Sequence, residues 1–116
     1  MKRGSIWVAA ARGGYASKPR PVVLVQDQHF EALDSVTVVP LTTDQLDLPY
    51  FRISVAPNER NGLRLKCFLM ADKVTTMSKR KLSAQIGELG NSELQRLDRA
   101  LLVFLGLSRP LAPVDN

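Results

Sequence analysis

The chain has 116 residues, of which 45% are hydrophobic and 23% are charged, and this balance excludes general disorder and fibrous repeats. Its length predicts a single domain, which we expect over residues 1–108, with a flexible tail over residues 109–116. Sixteen lysines and arginines against eleven acids give a net charge of +5, which favours an anionic partner, with a nucleic acid as the first candidate.

The chain lacks several sequence features and has only one cysteine and one histidine, which excludes several kinds of segment and site. There is no run of about 18 apolar residues and no signal-peptide core, so we expect a cytoplasmic protein without a membrane anchor. Cys67 is the only cysteine and His29 the only histidine, which excludes an intrachain disulfide, a cysteine-based zinc site and a two-histidine acid–base pair within one chain. The acids are too dispersed to indicate a two-metal nuclease, and we expect neither a metal nor another cofactor.

The first predicted elements are two strands joined by a glycine-containing loop. Ser5 to Ala11 has the composition of a strand, and Val22 to Gln26 reads as a second strand that is buried on both faces. Because Lys18 and Arg20 each precede a proline, both are expected to be extended, and Arg20 should project from the mouth of the second strand. A strand end can hold a catalytic or phosphate-binding group, but a surface arginine beside a core strand fits this stretch equally well.

Two further groups of polar residues interrupt the apolar pattern. After a short helical turn within Asp27 to Leu33, the third predicted strand, Val36 to Thr43, ends in two hydroxyls, although threonine is also common in strands for packing reasons. Phe51 to Ala56 alternates like a half-exposed strand. Asp72 and Lys73 then separate the apolar runs 65–71 and 74–77. Because an unpaired buried acid is costly, Asp72 either pairs with a lysine or arginine, lies at an edge, or faces a substrate groove.

The end of the chain predicts a basic turn, a short strand and the one clear helix. The turn is Ser78 to Lys81 and the strand is Gln85 to Leu89. Ser92 through Gln95 fits a capping box, and Gly106 can end the helix. Five leucines recur at helical spacing and are expected to pack on the sheet: Leu94, Leu97, Leu101, Leu102 and Leu105.

These elements add up to about six short strands and a C-terminal helix. We expect a mainly β or α+β fold, such as a small twisted barrel, in which polar strand ends gather Arg20, Thr42 and Asp72.

Four segments occur in register along the chain: Arg3–Val8, Arg20–Val25, Val38–Thr43 and Leu105–Leu107. Together they resemble the MazF/PemK family of toxin endoribonucleases from bacterial toxin–antitoxin systems, and the resemblance covers roughly residues 3–107. The resemblance implies an SH3-like β-barrel of the CcdB/PemK type with a C-terminal helix. It also implies a homodimer, metal-independent and sequence-selective cleavage of single-stranded RNA, an antitoxin partner, and DNA binding together with that antitoxin.

The resemblance also implies roles for individual residues. Arg20 and Thr42 fall on the family's catalytic positions. Asp72 falls where some members carry an aspartate that acts as a general base or contacts an RNA base. Attack by the 2′-hydroxyl of RNA would leave a 2′,3′-cyclic phosphate and a 5′-hydroxyl. The expected RNA-binding residues are Tyr15, Ser17, Lys18, Thr43, Asp72 and Lys73. The loop before Arg20 lacks the family's usual glutamate, and Met70 replaces an arginine found in some relatives.

Two other functions fit the same fold. A non-catalytic protein similar to CcdB would bind and poison DNA gyrase, and one fold can host either kind of site. A generic SH3-like RNA-binding module would need stacking aromatic residues on an open strand face. The arginine and threonine pair favours the nuclease.

Overall fold

The structure is a computed structural model that describes residues 1–10, 19–45 and 51–108. Within these ranges the chain forms seven strands: β1 (Ser5–Ala9), β2 (Arg20–Leu24), β3 (Ser35–Thr42), β4 (Arg52–Val55), β5 (Cys67–Met70), β6 (Thr75–Ser78) and β7 (Leu82–Glu88). They are followed by one helix, α1 (Asn91–Phe104), and short 3-10 turns occur at Gln28–Phe30, Ala71–Lys73 and Lys79–Lys81. The predicted tail and the loop residues Tyr15, Ser17 and Lys18 lie outside the described ranges.

The strands form one antiparallel sheet in the order β4-β5-β3-β2-β1-β7, and β6 pairs with the first half of β3. β5 and β6 therefore follow one another along the same edge of β3, with the turn Ala71–Lys73 between them. The mainly β fold with a C-terminal helix is confirmed. Among the described strands the hydrogen-bonded path is open, with β4 and β7 at its ends, where the sequence predicted a small twisted barrel.

The central strands are apolar on both faces because the sheet covers a core on each side. One core contains Val23, Val39 and Leu41 and is covered by α1 through Leu97. The other contains Val22, Val38 and their neighbours, and partly buried side chains such as Trp7 and Met77 pack against it. Burying a side chain of this size contributes about 1.5–3 kcal/mol, so these continuous valine runs supply much of the stability of the fold.

β2 begins earlier than the sequence predicted, and this changes the setting of Arg20. Arg20 is the first residue of the strand and pairs with Ala9 of β1, and Pro21 pairs with Val8. A proline at the second position of the strand lacks the N–H that a ladder would use there, but its fixed φ is compatible with an extended chain. Arg20 is therefore held by the sheet itself.

α1 begins two residues earlier than the predicted capping box would place it. Its N-cap is Gly90, whose N–H donates to the Glu93 carboxylate at 3.0 Å, so Ser92 lies inside the helix. The predicted end is confirmed, because Gly106 has a φ of 74° and its N–H donates to the Val103 carbonyl at 3.1 Å. In the described part of the chain, no helix is both long enough and apolar enough to cross a membrane.

The prediction that all five leucines of α1 pack on the sheet was wrong for two of them. Leu97 is fully buried, and Leu94 and Leu101 are partly buried against the same core. Leu102 and Leu105 are 44% and 53% exposed. At 3.6 residues per turn, Leu102 lies about 140° around the helix from Leu97 and faces away from the sheet. The last turn of α1 therefore leaves apolar surface uncovered.

Candidate active site

Arg20 and Thr42 lie at the same end of neighbouring strands. The β2–β3 pairing aligns Leu24 with Val38 and Val22 with Pro40. Continuing the same register by two residues aligns Arg20 with Thr42. Because side chains alternate along a strand, both residues point to the face that carries Val22 and Val38, away from α1. The sheet thus brings together two residues that are 22 positions apart in the sequence.

The hydroxyl of Thr42 is fixed by the turn that follows β3. Thr42 is the last residue of the strand and is 7% exposed. Its Oγ1 accepts a hydrogen bond from the Asp44 N–H at 3.1 Å, which leaves the hydroxyl proton to be donated elsewhere. Thr43, the second predicted hydroxyl, is exposed. Thr42 is therefore an oriented donor at the surface of the sheet.

Arg20 is exposed, and no ion pair in residues 1–10, 19–45 and 51–108 involves it. Its guanidinium carries a permanent charge and two parallel donors that match the geometry of a phosphate. An arginine without a carboxylate partner, beside an oriented hydroxyl, is suited to binding an anion. Phosphodiester groups are the anions that this fork recognises best.

Asp72 is engaged elsewhere. Arg52 Nε donates to one carboxylate oxygen at 3.0 Å and Nη2 to the other at 3.2 Å. The side chains are 5% and 20% exposed, respectively, so the pair is largely buried. The expectation that Asp72 pairs with a basic residue is confirmed. The structure does not bring its carboxylate to Arg20 and Thr42, and a role in RNA binding stays a prediction.

The remaining candidates take no part in this arrangement. Lys73 is exposed beside Asp72, whereas Tyr15, Ser17 and Lys18 lie outside the described residues. Cys67 is buried, and desolvation raises the pKa of its thiol, as expected for a small core residue. The His29 side chain is 90% exposed, which confirms its surface position. Residues 1–10, 19–45 and 51–108 contain no group of three or more potential metal-ligating His, Cys, Asp or Glu side chains.

Comparisons with known proteins give one consistent result. The family model described as "PemK-like, MazF-like toxin of type II toxin-antitoxin system" matches residues 2–105. A Mycolicibacterium smegmatis protein named "Probable endoribonuclease MazF" is 50% identical over 93% of this chain and 99% of its own length. The solved Mycobacterium tuberculosis toxin MazF-mt6 is 27% identical, with a TM-score of 0.76, over 90% of this chain and 99% of its own.

The fold likeness extends to more distant structures. A mycobacterial endoribonuclease solved in complex with its cognate antitoxin superimposes with a TM-score of 0.78 at 24% identity. It covers 95% of this chain and 99% of its own. The overall fold is thus shared with these proteins.

We expect Asp72→Asn to lower the free energy of unfolding by about 1–3 kcal/mol, because it leaves the buried Arg52 guanidinium without its carboxylate. Adding Arg52→Met removes that unpaired charge and should recover part of the loss. Urea unfolding followed by circular dichroism measures both effects. An Asp72→Asn protein as stable as the parent chain would contradict a structural role for the pair.

Proposed function

The chain belongs to the PemK-like, MazF-like toxins of type II toxin–antitoxin systems, and from that premise we propose that Arg20 and Thr42 form the catalytic centre of its endoribonuclease activity. The observation that carries this assignment is the β2–β3 register: its last pair is Val22 with Pro40, and its continuation by two residues aligns the two side chains on one face of the sheet. Both are polar groups at the ends of apolar strands, and within the described residues no carboxylate forms an ion pair with Arg20.

The chemistry that these two residues support is transfer of a phosphodiester within RNA. The 2′-oxygen forms a new bond to phosphorus while the bond from phosphorus to the 5′-oxygen breaks. The 2′-hydroxyl loses a proton and the departing 5′-oxygen gains one, which leaves a 2′,3′-cyclic phosphate and a 5′-hydroxyl. Arg20 stabilises the negative charge that develops on the phosphoryl oxygens, and Thr42 donates a hydrogen bond to one of them. This route needs no metal ion or other cofactor.

Single-stranded messenger RNA is the proposed substrate, and a cytoplasmic location would place the enzyme with it. Membership of the MazF-like family favours this function over poisoning of DNA gyrase by a CcdB-like protein. The unpaired arginine beside the oriented threonine favours it over a simple RNA-binding module. Since the family description places these toxins in type II systems, we also propose a cognate antitoxin as the protein partner.

We further propose that the protein is a homodimer and that a second copy covers the apolar end of α1. Five neighbouring apolar residues are 40–66% exposed there: Leu102, Val103, Phe104, Leu105 and Leu107. Leu102 and Leu105 also line a groove of about 260 Å³, together with Arg3 and Asp98. Contiguous apolar surface of this kind usually marks an interface, and a closed two-fold pair is the commonest assembly.

Arg20→Ala should reduce the rate of RNA cleavage about 10²- to 10³-fold, because it removes the charged donor from the phosphoryl oxygens. Arg20→Lys should restore only part of the rate, since a lysine cannot form two parallel hydrogen bonds. The matched control is Arg96→Ala, an exposed arginine on α1, which should cleave normally. Cleavage is measured on end-labelled RNA, with thermal unfolding to verify folding. A folded Arg20→Ala protein with full activity would refute the assignment.

The second test concerns the attacking group. A single 2′-deoxy substitution at a mapped cut position should abolish cleavage there, because the nucleophile is missing. Cleavage of the unmodified RNA should persist in EDTA, and mass spectrometry should find a cyclic or 3′-phosphate opposite a 5′-hydroxyl. Equal cutting of the deoxy substrate would show that water, and not the 2′-hydroxyl, attacks phosphorus.

Leu105→Glu should convert the dimer to a monomer, because it places a charge in the proposed apolar interface. Leu33→Glu is the matched control. Leu33 is 52% exposed, close to the 53% of Leu105, but it lies outside α1. Sedimentation velocity at micromolar concentration measures both variants. A parent chain that is monomeric, or a Leu105→Glu protein that is still dimeric, would contradict this interface.

A further inference from the structure

A second cation is held over the ring of the residue that pairs with Thr42, on the side of β3 opposite Arg20. Lys66 precedes β5, and its Nζ lies 5.6 Å from the centroid of the Phe68 ring. Phe68 is the direct partner of Thr42 in the β3–β5 pairing. Direct partners in an antiparallel pair project to the same face, so the ring lies beside the hydroxyl, on the face that also carries Arg20.

The contact with Phe68 fixes where Lys66 presents its charge. Phe68 is 8% exposed and is held by pairing with Thr42 on one side and Ser54 on the other. A cation within about 6 Å of a ring centroid is attracted by the negative face of the ring. Lys66 itself is exposed. The ammonium is therefore available to solvent while its attraction to a buried ring favours a position over Phe68.

The charges around this position favour an anionic ligand. Neither Lys66 nor Arg20 takes part in any of the ion pairs formed within the described ranges. The acid next to Thr42 in the chain is Asp44, which is exposed and contributes its backbone N–H to the threonine hydroxyl. A cation, a hydroxyl and a second cation therefore follow one another across the ends of β2, β3 and β5. They belong to Arg20, Thr42 and Lys66.

We infer that Lys66 is a further substrate-binding residue, which holds the RNA phosphate next to the scissile one. The cross-strand spacing and the cation–ring distance place its ammonium on the order of 10 Å from the Thr42 hydroxyl. That is beyond hydrogen-bond reach of a phosphate held by Thr42, so Lys66 contacts a neighbouring phosphate of the same strand. This inference rests on the proposed function. No motif in the sequence marks Lys66, although its position two residues before Phe68 is the spacing of one strand face.

Binding is measured with a single-stranded RNA that is 2′-O-methylated throughout and therefore uncleavable, over a range of salt concentrations. Lys66→Met should weaken binding about fivefold, which is typical of one exposed charge contact. It should also reduce the slope of log affinity against log salt by about 0.7, the value for one phosphate contact on a single strand. On cleavable RNA it should raise KM with little change in kcat, because the contact is made equally in substrate and transition state.

A phosphate-by-phosphate experiment locates the contact. Neutral methylphosphonates are introduced one at a time around the mapped cut position. The parent protein should lose about fivefold in affinity at the neighbouring phosphate, and Lys66→Met should lose nothing more there. Phe68→Leu should have part of the Lys66→Met effect, because it removes the ring but fills the space. Lys66→Arg should retain binding.

Lys2→Met is the matched control. Lys2 precedes the first residue of β1, at the end of the strand remote from Arg20, and its side chain is 71% exposed. It should change neither the slope nor KM. If the parent chain cleaves RNA while Lys66→Met has parental affinity, slope and KM, the inference about Lys66 is wrong and the proposed function stands. If the parent chain binds this RNA through Lys66 but cleaves no RNA, the proposed nuclease function is wrong instead.

Discussion

The antiparallel register between β2 and β3 is the constraint on which the rest of the site depends. It is fixed by valines that are buried on both faces of the sheet, and a slip by one residue would turn each of them to the wrong side. The same register aligns Arg20 with Thr42. The hydrophobic packing of these valines therefore also sets the relative position of Arg20 and Thr42. No direct contact between the two side chains is needed.

Some charged side chains near the β2–β3 pair form ion pairs that stabilise the fold, and others have no carboxylate partner within the described residues. Arg52 and Asp72 neutralise each other where a 3-10 turn interrupts the strand pairing along β3. Arg3 links the β2 end to α1 through the Val25 carbonyl at 2.7 Å and Asp98 at 2.5 Å. Among the described residues, no carboxylate is paired with Arg20 or Lys66. Because an unpaired exposed cation contributes little to folding, these two are free to bind a phosphate chain.

Two surfaces of the molecule are suited to different kinds of contact. The ends of β2, β3 and β5 present donors and positive charge, which suit a polyanion whose binding depends on salt. The last turn of α1 presents leucines and a phenylalanine, which suit a second protein surface. Phe104 also packs edge-on against Phe51, with ring centroids 5.5 Å apart, so this turn is anchored to the strand side of the molecule.

The sequence alone determined the strand-rich class, the C-terminal helix and its glycine stop, because these follow from local apolar periodicity and from the backbone freedom of Gly106. The local pattern placed Arg20 and Thr42 at strand ends without separating a functional role from packing, and the resemblance to the MazF/PemK family assigned them the catalytic positions. Only the tertiary structure decided that Arg52 is the partner of Asp72, that Leu102 and Leu105 are exposed, and that Lys66 lies over Phe68 beside Thr42. These contacts depend on the pairing of distant strands and on where the sheet ends beneath the helix, and no local pattern in the sequence encodes either.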